Sequence, residues 1–154
     1  VDVLINNAGI FLQGDVLTEP ADHLEQMMQV NVMAPYQLCR AFAPHMQEAG
    51  EGHIFNICSV ASKKVFPGSG SYATTKFALL GLTKALRQEL LASQVKVTAV
   101  MPGATWTASW EGATLPEERL MPPSDIALAV WNIYQLSPRT VVEELTLRPQ
   151  EGDL

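Results

Sequence analysis

The chain has 154 residues, of which 47% are hydrophobic and 17% charged. That is enough for one domain with a real core, and the balance is that of a globular chain. Sixteen acidic residues against ten scattered basic ones leave a net charge of −6, which argues against a nucleic-acid surface. No apolar run approaches the ~18–20 residues that span a bilayer, so no membrane partner is expected. No basic leader precedes the first apolar run, and a cytoplasmic location is the expectation.

In chain order, residues 1–5 predict a buried strand, closed by Asn6-Asn7-Ala8-Gly9. Pro20 suits an early helical position, and Thr18 or Glu19 is expected near the cap. The helix is predicted over about 21–49, with Leu24, Met27, Met28, Leu38, Phe42 and Met46 among its apolar positions, and Gly50 and Gly52 stop it. Residues 53–59 read as the next strand and 62–71 as a loop. A second helix over about 72–92 carries Leu79, Leu82, Leu86 and Leu90 at spacings of three and four. Residues 95–101 form a β-branched strand, and 104–123 are irregular. Ser124 is expected to cap a helix through Leu136. Residues 144–148 make a last strand, stopped by Pro149. Strands and helices alternate throughout, which predicts an α/β fold with a doubly wound parallel sheet in one unbroken unit, residues 1–154.

Tyr72 and Lys76 lie four apart in the second helix, with Ser59 thirteen residues upstream. Positions i and i+4 share a helix face. A nearby ammonium favours the phenolate, so Lys76, together with a hydroxyl partner and the charge of a bound cofactor, is expected to lower the pKa of Tyr72 and fit it for acid–base work. The spacing is common, and taken alone a helix-surface pair is the plainer reading. Ser59 ends a predicted parallel strand, where open α/β sheets bind ligands; a serine bonding local backbone is the plainer alternative. Pro35 lacks an N–H, which deprives the carbonyl of Asn31 of its helical partner and kinks the helix.

Asn6-Asn7-Ala8-Gly9 and Pro102-Gly103, followed by Thr105 and Thr107, leave strands through small residues that allow close approach of a ligand or simply turn the chain. Cys39 and Cys58 lie in apolar surroundings as buried, reduced thiols. His23, His45 and His53 lack metal-ligand spacing and read as surface or strand-edge residues. No glycine-rich phosphate loop is present; Gly68-Ser69-Gly70 precedes a helix but follows no strand directly.

These motifs, in this order and over nearly the whole chain, resemble the short-chain dehydrogenase/reductase family in its single-domain form. The resemblance implies a Rossmann-like fold in which residues 1–154 hold strands four to seven, the glycine-rich half lying outside them. It implies an NAD(P)-dependent oxidoreductase interconverting a small carbonyl compound and an alcohol. Tyr72 would be the general acid/base, and Ser59 would bind the substrate oxygen. Lys76 would hold a ribose and tune Tyr72. Asn31 would hold a water connecting Lys76 to solvent.

Asn6, Ala8 and Gly9 would steady the sheet and line the adenosine–ribose side of the cofactor. Pro102, Gly103, Thr105 and Thr107 would meet the nicotinamide carboxamide. Trp106, Trp110 and Leu115 fall where the family builds its substrate wall. NADP is favoured by the resemblance over NAD, but the residue that decides belongs to the second strand of the complete fold. A homodimer or homotetramer, packed through the two long helices, is the implied assembly. The alternative is a non-catalytic member acting as a packing or assembly unit, motivated by the missing phosphate loop.

Overall fold

The computed structural model describes residues 1–110 and 114–154. The predicted segment 104–123 therefore includes three residues outside the description. Four strands form one parallel sheet: β1 (Val3–Asn6), β2 (Gly52–Ile57), β3 (Val95–Pro102) and β4 (Glu144–Leu147), in spatial order β1-β2-β3-β4. The register sets Asn6 opposite Asn56, Phe55 opposite Thr98 and Val100 opposite Leu145. Parallel neighbours need crossovers, and the helices supply them: α1 (His23–Met28), α2 (Ala34–Ala49), α3 (Gly70–Leu90) and α4 (Pro123–Tyr134).

Side chains alternate across the sheet with a period of two, so each strand feeds both faces. Ile54, Val95 and Val97 pack with Cys39, Ala43, Met46 and Leu90, while Cys58, Ala99 and Met101 pack with Leu79 and Leu80. The other face sets Phe55 and Val100 against Val130 and Ile133 of α4. Both faces are thus covered, as the strand–helix alternation predicts. Cys39 and Cys58 are buried free thiols. Among the described residues, no helix is long and apolar enough to cross a membrane.

Four local expectations need correction. The first strand is not fully buried: Val3 and Leu4 are half-buried and Ile5 is 49% exposed, because β1 has a strand partner on one side only among the described residues. The helix over 21–49 is two helices joined by a π-helical turn, Gln29–Met33, in which the Ala34 N–H reaches the Gln29 carbonyl. The physical cause is Pro35, which cannot donate to Asn31, and the turn is one residue wider there. Caps also differ. Asp22, not Thr18 or Glu19, precedes α1, and Pro122 precedes α4, with Pro123 rather than Ser124 opening it. Proline at a first helical position forfeits no intrahelical bond.

The fourth correction is His53, which is buried at the centre of the sheet rather than at an edge. Its ring stacks on Phe55 at 3.8 Å, and Nε2 lies 2.8 Å from Thr98 Oγ1. That hydroxyl donates to the Val142 carbonyl, so His53 is the donor to it and Nδ1 is left unprotonated without a partner. Burial, with Lys96 adding repulsion, lowers the His53 pKa from 6.5 to about 4.

Candidate active site

All four strands run the same way, so their C-terminal ends share one rim. Asn7–Gly9 leave β1 there, Cys58 and Ser59 leave β2, and Gly103–Thr107 leave β3. The rim is where an open parallel sheet presents groups to a ligand.

Ser59 is fixed by its backbone. It caps the short 3-10 turn Val60–Ser62 through a reciprocal pair of bonds: its Oγ accepts the Ala61 N–H at 3.1 Å, and Ser62 Oγ accepts the Ser59 N–H at 3.2 Å. Ser62 thus supports the backbone conformation of Ser59. Tyr72 follows in the first turn of α3, and Lys76 lies one turn further on. Lys76 is 5% exposed, donates to the Ile57 carbonyl at 3.0 Å, and holds its Nζ 5.7 Å from the Tyr72 ring centre.

Burial sets the electrostatics of the pair. Burial dominates Tyr72 and raises its pKa, and hydrogen bonding toward Ser59 pulls it back only in part. Burial also lowers the Lys76 ammonium to about 8. The protein's own groups therefore keep the phenol protonated through the neutral range, the form that donates a proton. Lys76 is itself desolvated, and at Tyr72 the effect of burial exceeds that of the hydrogen bond with Ser59.

Asn31 sits at the π-helical turn and is fully buried. Its Oδ1 accepts the Ile10 N–H at 2.8 Å, and its Nδ2 donates to the Ile10 carbonyl at 2.9 Å and to Thr75 Oγ1 at 3.0 Å. One amide thereby fastens the loop after β1 to α3. A Cβ on Gly9 would stand 3.4 Å from Asn31 Oδ1 and 3.5 Å from Lys76 Nζ. Gly9, Asn31 and Lys76 thus adjoin. Asn6 turns inward instead: its Nδ2 donates to Asn56 Oδ1 at 2.7 Å, and Asn56 donates to Thr83 Oγ1 at 2.8 Å. This buried chain ties β1, β2 and α3 together below the rim.

Ala8 is exposed in the loop after β1. Pro102 closes β3, Gly103 donates to the Leu147 carbonyl at 2.8 Å, and Thr105 Oγ1 donates to the Gly103 carbonyl at 3.0 Å. Thr107 is exposed, and its carbonyl accepts the Trp110 N–H at 2.9 Å. These residues share the rim with Ser59, Tyr72 and Lys76, but their hydrogen bonds stay within the β3–β4 side.

Two contacts lay outside the sequence reading. Phe11 meets Tyr72 edge-on at 4.9 Å, and Thr75 completes the Asn31 clamp. Thr75 lies inside the Tyr72–Lys76 spacing, but its partner is forty-four residues away, so no local pattern marks it. A concavity of about 480 Å³ lies beside the rim, against Arg119, Met121, Asp125 and Leu147, and holds none of the predicted site residues. Burial and shifted pKa values coincide instead at Tyr72 and Lys76, beside the buried Ser59. Among the described residues, no group of three His, Cys, Asp or Glu side chains could hold a metal ion.

Known proteins carry the same plan. The sequence profile of short chain dehydrogenases matches residues 1–117. Sepiapterin reductase of Chlorobaculum tepidum is 36% identical over 155 aligned positions, covering 100% of this chain and 64% of that protein. Alcohol dehydrogenase from the archaeon Thermococcus sibiricus, solved with 5-hydroxy-NADP, superposes with a TM-score of 0.90 at 27% identity, over 100% of this chain and 65% of that one. A 4-hydroxyisoleucine dehydrogenase solved with NADH gives 0.83 at 27% identity, over 99% and 70%. The chain thus spans about 64% of the length of the curated relative. With the parallel sheet, the ordered motifs and the matched profile agreeing, the chain belongs to the short-chain dehydrogenase/reductase family.

Proposed function

We propose that the protein is an NAD(P)-dependent oxidoreductase that interconverts a small carbonyl compound and its alcohol. The observation that carries this reading is the cluster of Ser59, Tyr72 and Lys76 at one point of the sheet's ligand rim. The donor set suits a dinucleotide. Lys76 spends one of its three donors on Ile57, leaving donors for ribose hydroxyls, and Gly9 keeps the neighbouring backbone free of side chain. Ala8 and Gly9 would follow the adenosine–ribose side, and Gly103, Thr105 and Thr107 the carboxamide. Relatives solved with an NADP analogue and with NADH support either cofactor. The glycine-rich turn that cradles a pyrophosphate is not among these 154 residues, so they supply the catalytic half of such a site.

When bound, the nicotinamide supplies the hydride. The chain's own residues do the rest. Ser59 Oγ donates to the substrate oxygen and fixes it. Tyr72, protonated by virtue of its burial, gives that oxygen a proton during reduction. Lys76 holds the ribose side. The carbonyl of Asn31, without a donor from Pro35, offers a place for a water leading from Lys76 to solvent, while the Asn31 side chain keeps the turn in shape. Phe11, edge-on to Tyr72, gives the substrate side an apolar wall. A homodimer or homotetramer through the long helices accompanies this reading by family likeness.

The test is product analysis on a panel of carbonyl compounds with 4-deuterated NADPH and NADH. The reading expects deuterium on the new carbinol carbon with at least one substrate. Cofactor that binds but transfers no deuterium to any substrate contradicts it.

A further inference from the structure

The turn after β3 is held from a distance. Trp106 N–H donates to the Met121 carbonyl at 2.8 Å, and Met121 N–H donates to the Ala104 carbonyl at 3.0 Å. Residues 104–106 are thereby bridged to residue 121. Two residues before Met121 stands Arg119, whose side chain is 18% exposed. Its guanidinium is engaged on all sides by one segment. Nη1 donates to the Gly152 carbonyl at 3.1 Å, Nη2 to the Asp153 carbonyl at 3.2 Å, and Nε lies 3.3 Å from Glu151 Oε2.

That cradle is built rather than incidental. The Gly152 N–H closes a turn on the Pro149 carbonyl at 2.9 Å, and Gly152 takes a φ of +88°, a conformation open to glycine and strained for side-chain-bearing residues. The left-handed turn carries the two carbonyls that Arg119 meets. Asp153 is in turn paired with Arg148 and stands 3.9 Å from Lys64, in the loop that follows Ser59. At its other end the segment abuts the rim: a Cβ on Gly103 would lie 3.3 Å from Pro149 Cδ.

We propose that Arg119 is a positioning residue for the turn that carries Thr105, locked by the Glu151–Asp153 cradle and acting through the bridge from Met121 to Ala104 and Trp106. The inference rests on the reading that this turn meets the nicotinamide. A guanidinium suits the task because its planar fork reaches two carbonyls and a carboxylate at once; a lysine retains a single donor head. The consequence is that cofactor affinity depends on residues that never touch the cofactor.

The experiment compares Arg119→Ala, Arg119→Lys and Gly152→Val in the intact protein. Gly152 has open space around it, so valine there strains the turn without filling the core. Two quantities are read: amide exchange at Trp106 and Met121 against Ala99, whose N–H bonds to the Glu143 carbonyl within the sheet, and the NADPH and NADH dissociation constants. Arg119→Ala and Gly152→Val should speed exchange at Trp106 and Met121 about tenfold, leave Ala99 unchanged, and weaken the preferred cofactor several-fold. Arg119→Lys should fall between wild type and alanine.

Unchanged exchange at Trp106 and Met121 in both Arg119→Ala and Gly152→Val overturns the proposal, as does an equal rise at Ala99, which would make Arg119 an ordinary stability contact. Faster exchange with wild-type cofactor affinity removes the link to the cofactor. A wild-type protein that binds neither cofactor overturns the underlying functional reading instead.

Discussion

The loop after β1 and the turn after β3 leave the same sheet edge and are held by different means. The first is fastened by a buried side chain: Asn31 satisfies both backbone groups of Ile10 and reaches Thr75 of α3. The second is fastened by backbone bridges to Met121 and by the partly buried grip on Arg119. Buried, fully satisfied polar networks are rigid because every escape leaves an unpaired group, whereas bonds near water exchange partners cheaply. The difference matches the demands of the proposed chemistry. Proton transfer between Ser59, Tyr72 and a substrate oxygen tolerates little slack. A wall that admits and releases cofactor and substrate needs some.

This contrast breaks most visibly at Asn31. Replacing it with alanine should cost about 4 kcal/mol of unfolding free energy, since it strands the Ile10 groups and opens a void. Urea denaturation measures it. A loss under about 1 kcal/mol would mean that the loop after β1 is no more tightly held than the turn after β3.

Acid sharpens the comparison from the sheet beneath. The His53 pKa is lowered in the folded protein, so the unfolded chain binds more protons between about 4 and 6.5. The contribution is complete above the unfolded value of 6.5 and is lost as pH falls toward about 4, at up to about 3 kcal/mol. Lys96 is the charged group acting on the ring besides burial. A His53→Gln variant should lose this slope in stability measured from pH 7 to pH 4; an unchanged slope would assign the acid sensitivity elsewhere.

The smallest effect falls at the other loop. Gly103→Ala places a methyl 3.3 Å from Pro149 Cδ, and a proline ring yields little, so the cost is about 1 kcal/mol. The same denaturation series reads it. Equal losses for Gly103→Ala and Asn31→Ala would erase the distinction between the two sides.

Much of this was legible along the chain. Strand–helix alternation predicts the parallel sheet, and β2 and β3 match their predicted segments closely because β-branched and apolar runs bounded by glycine carry the signal. Pro35 marks the break in the long helix, although the π-helical form of that break depends on how the chain relaxes around it. What escaped was tertiary. His53 reads as an edge residue because its partners, Phe55 aside, lie more than forty residues away. Arg119 looks like any charge in an irregular segment, since its cradle comes from carbonyls that carry no residue identity. The pKa of Tyr72 escaped for a related reason: spacing identifies its lysine, but only packing reveals how far both groups are desolvated.

The central claim is that Tyr72 passes the proton. It is tested most directly by Tyr72→Phe in the intact protein, with turnover and cofactor dissociation constant measured on one preparation. Phenylalanine keeps the ring contact with Phe11 and removes only the hydroxyl that is hydrogen-bonded with Ser59. Turnover should therefore fall by about 10³-fold while cofactor affinity stays at the wild-type level. Turnover near the wild-type rate in that variant would contradict the account.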